Sequence, residues 1–303
     1  MKYFYGYEKT KTYFEGWYCK IQTDKDSIAF IPSYHIDHSG KRIASLQIVW
    51  GQDTYSLEYP VSEFSASEEK FQVQVGKSKF GEGGFHIDTT LNGIDIQGDI
   101  RYGELCKPKY SIMGPFSILK GMQCNHGVIS MVHTANGILF KNGKSISIHG
   151  LGYMEKDWGC SFPNTYFWTQ CIFKDVGRSS IMVSIADIPI TKKNKSNFTG
   201  CICHICHRKQ DYRIATYYGC KIKKYEQDEI IIKQGSKELI INIFPNNLNK
   251  ENKNISCLKA PIQGTLLRTI KESISTRIRY RFFIKHICIF DIVSEKASYE
   301  FVR

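Results

Sequence analysis

Residues 201–207 read Cys-Ile-Cys-His-Ile-Cys-His and place five potential metal ligands within seven positions. From Cys203 onward the order is C-x-x-C-H, the spacing of covalent haem attachment, and the same side chains are the usual ligands of zinc. The flanking sequence argues for a strand. There Cys201, Cys203 and Ile205 would face one way, with Ile202, His204 and Cys206 facing the other. No second ligand pair of matching spacing occurs elsewhere, so the stretch is read as a structural strand with neither metal nor haem. The other concentration of reactive groups is Glu155-Lys156-Asp157-Trp158. A carboxyl among aromatic rings keeps its proton to higher pH and can act as a general acid. Asp157, between Lys156 and Trp158 and near Phe162, is the first candidate. Glu155 is the alternative, since Lys156 could hold one of the two acids ionised. A plain structural role, Asp157 accepting backbone amides in a turn before Gly159, is the competing account.

The elements that must carry these groups are strands. Period-two alternation marks 45–50, 71–75, 94–100, 128–134, 145–153, 165–173, 180–187, 229–234 and 238–244. Turn signals separate them, among them Lys-Asn-Gly-Lys at 141–144 and Lys-Gln-Gly-Ser-Lys at 233–237. Apolar residues at 266, 267, 270 and 274 predict one short helix over 265–275. From 276 to 290 a strand is expected, with Arg277, Arg279 and Arg281 outward and Ile278, Tyr280 and Phe282 inward. Polar stretches at 191–197 and 246–254 are read as loops. Many meandering strands with little helix point to barrels or sandwiches.

With 303 residues the chain can form two ordinary domains or one large β domain, and its 18 Tyr, 18 Phe and four Trp suit strands and large apolar pockets. The N-terminal stretch interleaves charges with aromatics and lacks the apolar run of a secretory signal. No segment is apolar over the length of a membrane span. A cytoplasmic location is therefore expected, with the 11 cysteines mostly thiols. The net charge of +12 is spread thinly, in groups such as Lys192–Lys195, Lys221–Lys224 and Arg277–Arg281. No nucleic-acid motif accompanies it, and nucleic acid is not an expected partner. A diffuse basic surface serves solubility first and peripheral contact with an anionic membrane second.

Three stretches carry a more specific signal. "YFEGWYCK" (13–20), "MGPFSILKGMQCNHGVISMVH" (113–133) and "GYMEKDWGCSFPNTYFWTQC" (152–171) resemble the tocopherol cyclase family. The family has F-E-G-W-Y, M-E-C-Y-H-G-V-V-S-M-D-H, and E-K-D-W-G-x-S-F-P followed by W-x-Q. The similarity continues in order through 184–189, 213–226 and 259–268. It implies an all-β chain of two lipocalin-like antiparallel barrel or sandwich halves, related in fold to carotenoid hydratases. With the helix expected near the C-terminus, the halves are placed at 1–150 and 151–303. The implied activity is intramolecular closure of a prenylated hydroquinone to a chromanol, without metal or organic cofactor.

That reaction needs an acid to protonate a trisubstituted alkene, a dry cavity for the prenyl chain, and rings beside the tertiary carbocation. Asp157, or else Glu155, would be the acid, and His126 could accept the phenol proton. His126 and His133 lie seven apart, so on an unbroken strand they face opposite ways. The substrate-binding candidates are Glu15, Trp17, Trp158, Trp168 and Gln170, with Gln123 and Asn125 standing where the family has Glu and Tyr. Glu15 reads equally as a buried structural acceptor, and the tryptophans as plain core. Val132 replaces the family's Asp, Pro115 its Trp, and Ile172 a polar residue. These departures favour a second function, a non-catalytic carrier or sensor of a lipophilic molecule. Both functions take a prenyl quinol or related isoprenoid as partner.

Overall fold

A computed structural model describes residues 2–51, 53–119, 122–175, 177–189, 197–244 and 256–303. Nearly every described element is a strand, and the chain divides into two units. The first comprises residues 1–108, 123–162 and 258–269; the second comprises 109–122, 163–257 and 270–303.

The first unit is one antiparallel sheet of eleven described strands that curls into a nearly closed barrel. Its strands are β1 (Tyr13–Thr23), β2 (Ser27–Ile36), β3 (Arg42–Trp50), β4 (Asp53–Pro60), β5 (Phe64–Ala66), β6 (Gln72–Val75), β7 (Ser78–Gly81), β8 (Gly84–Leu91), β9 (Ile94–Tyr102), β10 (Cys124–Lys141) and β11 (Lys144–Gly159). The order is β4-β3-β2-β1-β11-β10-β9-β8-β7-β6-β5, so the first strand of the unit pairs with its last. Alternation fills one face with Trp17, Phe30, Tyr34, Phe64, Phe85, Met154 and their neighbours, the apolar core of this unit. Phe4, fully buried before β1, packs on Trp17, Tyr34 and Phe64.

The second unit repeats the plan as a half-barrel. It holds β12 (Tyr166–Asp175), β13 (Gly177–Pro189), β14 (Asn197–His207), β15 (Gln210–Ala215), β16 (Lys221–Tyr225), β17 (Glu229–Gln234), β18 (Lys237–Phe244), β19 (Ser256–Ile262), β20 (Thr265–Ile284) and β21 (Ile287–Val302). The order is β15-β14-β13-β12-β21-β20-β18-β17-β16, with β19 on β20. Residues 258–269, which span the end of β19 and the start of β20, count with the first unit.

All nine strand segments read from alternation are strands. Three expectations need correction. The helix over 265–275 is part of β20. Ile270, Glu272 and Ile274 are buried in strand alternation, but the inward position 272 is acidic and the exposed position 267 is Leu, which disguises the period. Register shifts around Thr276 then break it again. The boundary at 150 falls inside β11, whose residues pair with β1 and β10 on both sides of it. The strand expected over 276–290 is two, turning at Lys285 and His286, although its alternation holds: Ile278, Tyr280 and Phe282 are fully buried and Arg279 pairs with Asp291. The loops expected at 191–197 and 246–254, with the lysines at 192–195, lie outside the described residues, except Asn197 at the start of β14.

The Cys-rich stretch is strand β14, with Cys201, Cys203 and Ile205 in the core of the second unit. His204 reaches Asp211, and His207 reaches Ser179. All 11 cysteines are free thiols.

Candidate active site

Three adjacent strands of the first unit, β10, β11 and β1, build the site. Asp157 lies opposite His126 of β10 on one side and Gly16 of β1 on the other; Glu155 lies opposite Val128 and Tyr18. Residues two apart on a strand share a face, so Tyr153, Glu155 and Asp157 rise from the same side of β11. That side is the one turned away from the apolar core.

There they form a chain of contacts. His126 Nδ1 lies 2.6 Å from Asp157 Oδ1, and His126 Nε2 lies 3.2 Å from Glu155 Oε2. Tyr153 donates its hydroxyl to Glu155 Oε2 at 2.5 Å. The Nε2 contact is an ion pair whose alignment falls short of a good hydrogen bond. The side chains of His126, Asp157 and Glu155 are 12%, 20% and 6% exposed, so the chain is enclosed but reachable from the Asp157 end.

The electrostatics follow from this enclosure. Burial alone would drive the His126 imidazolium to lose its proton, but Glu155 and Asp157 together hold its pKa well above the usual histidine value. Burial raises the Glu155 carboxyl above the ordinary carboxylate range, and the facing imidazole only partly offsets this. Burial and the neighbouring Glu155 keep the Tyr153 phenol un-ionised, with its pKa well above 10.0. One imidazole thus sits between two carboxylates, one of them disposed to carry a proton.

The three residues named as catalytic from sequence, Asp157, Glu155 and His126, are therefore brought together. The roles shift. Asp157 is in a strand and holds an imidazole, so the turn-forming account is overturned. Glu155, deeper and more enclosed, is the carboxyl that burial raises. Tyr153 was missed, though stepping back by two from Asp157 and Glu155 leads to it. His133 lies elsewhere, its ring 4.3 Å from Tyr102, on a strand that two register shifts interrupt.

The substrate-binding candidates are not gathered here. Glu15, Trp17 and Trp158 occupy the opposite face of the same strands. Lys156 Nζ binds Glu15 Oε1 at 2.8 Å and lies 4.6 Å and 4.5 Å from the ring centres of Tyr5 and Trp158. It also donates to the carbonyls of Lys2 and Tyr3, while Glu15 Oε2 accepts Tyr5 N–H and the Tyr13 hydroxyl. Trp17 is fully buried in the core. Strand parity sets these positions on the face opposite Gly16 and Asp157. Lys156 consequently answers to Glu15, not to the acids flanking it in sequence.

Asn125 donates to the Trp158 carbonyl, and Gln123 is exposed, its own carbonyl receiving Cys160 and Ser161 N–H. The family's missing glutamate thus falls outside the cluster. Trp168 and Gln170 belong to β12 of the second unit, on the face away from that unit's core residues Phe167, Cys171 and Phe173.

Among the described residues, His126, Glu155 and Asp157 are the only group with ligand atoms close enough to hold a metal ion, all within 4.8 Å of one another. Nitrogen and two carboxylate oxygens would suit a divalent cation. Each ring nitrogen already faces a carboxylate, which equally suits a proton.

The model of the tocopherol cyclase-like family matches residues 89–196, from β8 through β13, and so covers His126, Glu155 and Asp157. No curated protein matches the chain. Among solved structures, a putative AttH protein from Nitrosomonas europaea is similar with a TM-score of 0.55 and 8% identity, over 96% of this chain and 92% of that one. Kievitone hydratase from Nectria haematococca gives 0.54 and 11% over 95% and 88%, and CghA gives 0.56 and 9% over 96% and 88%. At such identities the likeness is one of fold. The resemblance to the tocopherol cyclase family is thus supported by a family model over residues 89–196 of the 303.

Proposed function

We propose that the protein is an intramolecular cyclase that closes a prenylated hydroquinone, or a related isoprenoid phenol, to a chromanol. The observation that carries this reading is the chain Asp157–His126–Glu155–Tyr153: two carboxylates and a phenol arranged around one imidazole, with the proton held near neutral pH. In the reaction the His126–Glu155 pair gives its proton to the less substituted alkene carbon. The tertiary carbocation forms, the phenol oxygen adds to it, and the phenol proton returns to the protein. Substrate and product are isomers, so no oxidant or co-reactant is needed. Asp157 keeps the imidazole oriented through Nδ1, as the carboxylate of a catalytic triad does. Tyr153 steadies the Glu155 carboxylate once its proton has gone.

The test uses purified protein and a hydroquinone bearing one prenyl chain, incubated in deuterated buffer without oxygen. A chromanol with one deuterium on the carbon that was the alkene, absent with Glu155→Gln and His126→Asn, is the expected result. Recovery of unaltered hydroquinone bound to all three proteins would instead identify a carrier of lipophilic molecules.

A further inference from the structure

The face that carries His126 and Asp157 continues across β1, β2 and β3, and the register sets His126, Asp157, Gly16, Ser33 and Ser45 in one row across five strands. Beyond Gly16 the row ends in a second polar group. Ser33 Oγ lies 2.8 Å from His35 Nε2 and 2.6 Å from Ser45 Oγ, and His35 Nε2 lies 3.2 Å from Ser45 Oγ. All three residues are buried, His35 at 5% exposure, and His35 Nδ1 has no hydrogen-bond partner among the described residues. A buried imidazole nitrogen without a partner is costly, and such a group calls for a ligand.

Between the two groups stands Gly16, the one position of the row without a side chain. In β1 every residue from Tyr13 to Ile21 is buried except Gly16, and in β2 every residue is buried except Ile31. Within 4 Å, a Cβ built on Gly16 would meet among the described residues only Ser33 Cβ at 3.4 Å and Pro32 O at 3.8 Å, both from the adjoining strand. Asp157 and Ser33 stand two strands apart, about 10 Å between backbones. That spacing admits one aromatic ring with a hydrogen bond at either end.

We propose that the depression over Gly16 seats the ring of a phenolic substrate, and that His35, steadied by Ser33 and Ser45, accepts the phenol proton. This inference rests on the cyclase reading and completes it. One histidine of the face gives a proton to the alkene carbon, the C–O bond forms, and the O–H proton passes to the Nδ1 lone pair of the other. His35 then loses that proton to water while His126 regains one, so no net proton is consumed. The two environments suit these opposite duties: burial takes the His35 pKa down to about 4, whereas Glu155 and Asp157 hold His126 charged. The sequence reading gave the accepting role to His126.

Calorimetric binding of the singly prenylated hydroquinone, with turnover on the same preparations, tests the proposal. Gly16→Val should weaken binding by about tenfold or more at unchanged melting temperature, and Gly16→Ala by less, because the added methyls fill the ring's place. His35→Gln should bind within about threefold of wild type yet turn over about a hundredfold more slowly. Added imidazole should restore part of the rate to His35→Ala, which a merely structural loss would not allow. Wild-type binding by Gly16→Val overturns the site, and wild-type turnover by His35→Gln overturns the base. If the wild-type protein binds the probe without converting it, the cyclase reading and the base fall together, and the Gly16 series still decides the site. No binding by the wild type overturns both.

Discussion

Strand β11 carries two buried charged clusters back to back. On the core side Lys156 is saturated: one carboxylate, two carbonyls and two ring faces surround it, and the N-terminal residues 2–5 are tied down in the process. On the other side His126 has two carboxylates and partial exposure, and its contact with Glu155 is poorly aligned. The first cluster has no spare donor or acceptor to offer a ligand. The second holds a proton that several partners share and leaves its Asp157 end reachable. Parity alone decides which residues of the E-K-D-W run fall on which side. The difference teaches that burial of charge is not by itself the mark of a site: a saturated cluster has nothing to offer a ligand, and the chemistry proposed above needs the unsaturated one.

The largest effect should come from breaking the saturated side. Lys156→Met leaves Glu15 buried without its cation, and removing one partner of such a pair costs about 3–5 kcal/mol. Urea denaturation of the variant should show that loss. Combining it with Glu15→Gln should recover much of it, since the pair would then be replaced and not merely halved. An unchanged midpoint for Lys156→Met would mean that the cluster is not structural. On the reactive side the balance should reverse: His126→Asn should cost less stability than Lys156→Met, and less still as pH rises, but about a hundredfold or more in turnover of the prenyl hydroquinone.

Titration sharpens the contrast further, because His126 and His35 share a face with opposite shifts. His126, raised, stabilises the fold fully below its unfolded value near 6.5, and that contribution fades as pH rises through the higher folded value. Glu155, also raised, loses its contribution in the same direction above its unfolded value of 4.5. His35, lowered to about 4, acts in reverse: its contribution is full above 6.5 and disappears as pH falls from there toward 4. Melting temperature of His126→Asn relative to wild type should therefore converge toward wild type as pH rises. That of His35→Gln should converge as pH falls. A constant offset for either variant would remove that histidine from the pair.

Much of this was legible in the residues. Alternation gave the strands, and the apolar inward positions of β1, β18 and the 278–282 stretch of β20 are its direct product. The cluster was half legible: Glu155 and Asp157 were seen as acids and His126 as their companion, but the reading ordered them by sequence neighbours. Which strand lies beside which is a long-range property, so the pairing of β1 with β11, and hence Glu15 with Lys156, could not be read locally. Ser33, His35 and Ser45 were invisible for the same reason, since they meet only across β2 and β3. Gly16 did leave a signal: a glycine inside an aromatic strand marks a place kept open. β20 failed as a sequence reading because one buried position is Glu272.

The smallest effect should come from Tyr153→Phe, which removes one oxygen and keeps the ring. Its hydroxyl donates to Glu155 Oε2 and does not reach His126 or Asp157 directly, so the imidazole keeps its orientation. A hydrogen bond to a charged acceptor is worth about 1.5–3 kcal/mol, and here it helps only the state in which Glu155 has given up its proton. Turnover should fall by about tenfold while KM for the hydroquinone stays unchanged, the signature of an interaction made in the transition state. The Glu155 carboxyl, deprived of a donor, should hold its proton more firmly, and the alkaline limb of the rate profile, where the donated proton is lost, should move to higher pH. If instead KM rises and kcat is unaffected, Tyr153 touches the substrate, and the chain of contacts ends at Glu155.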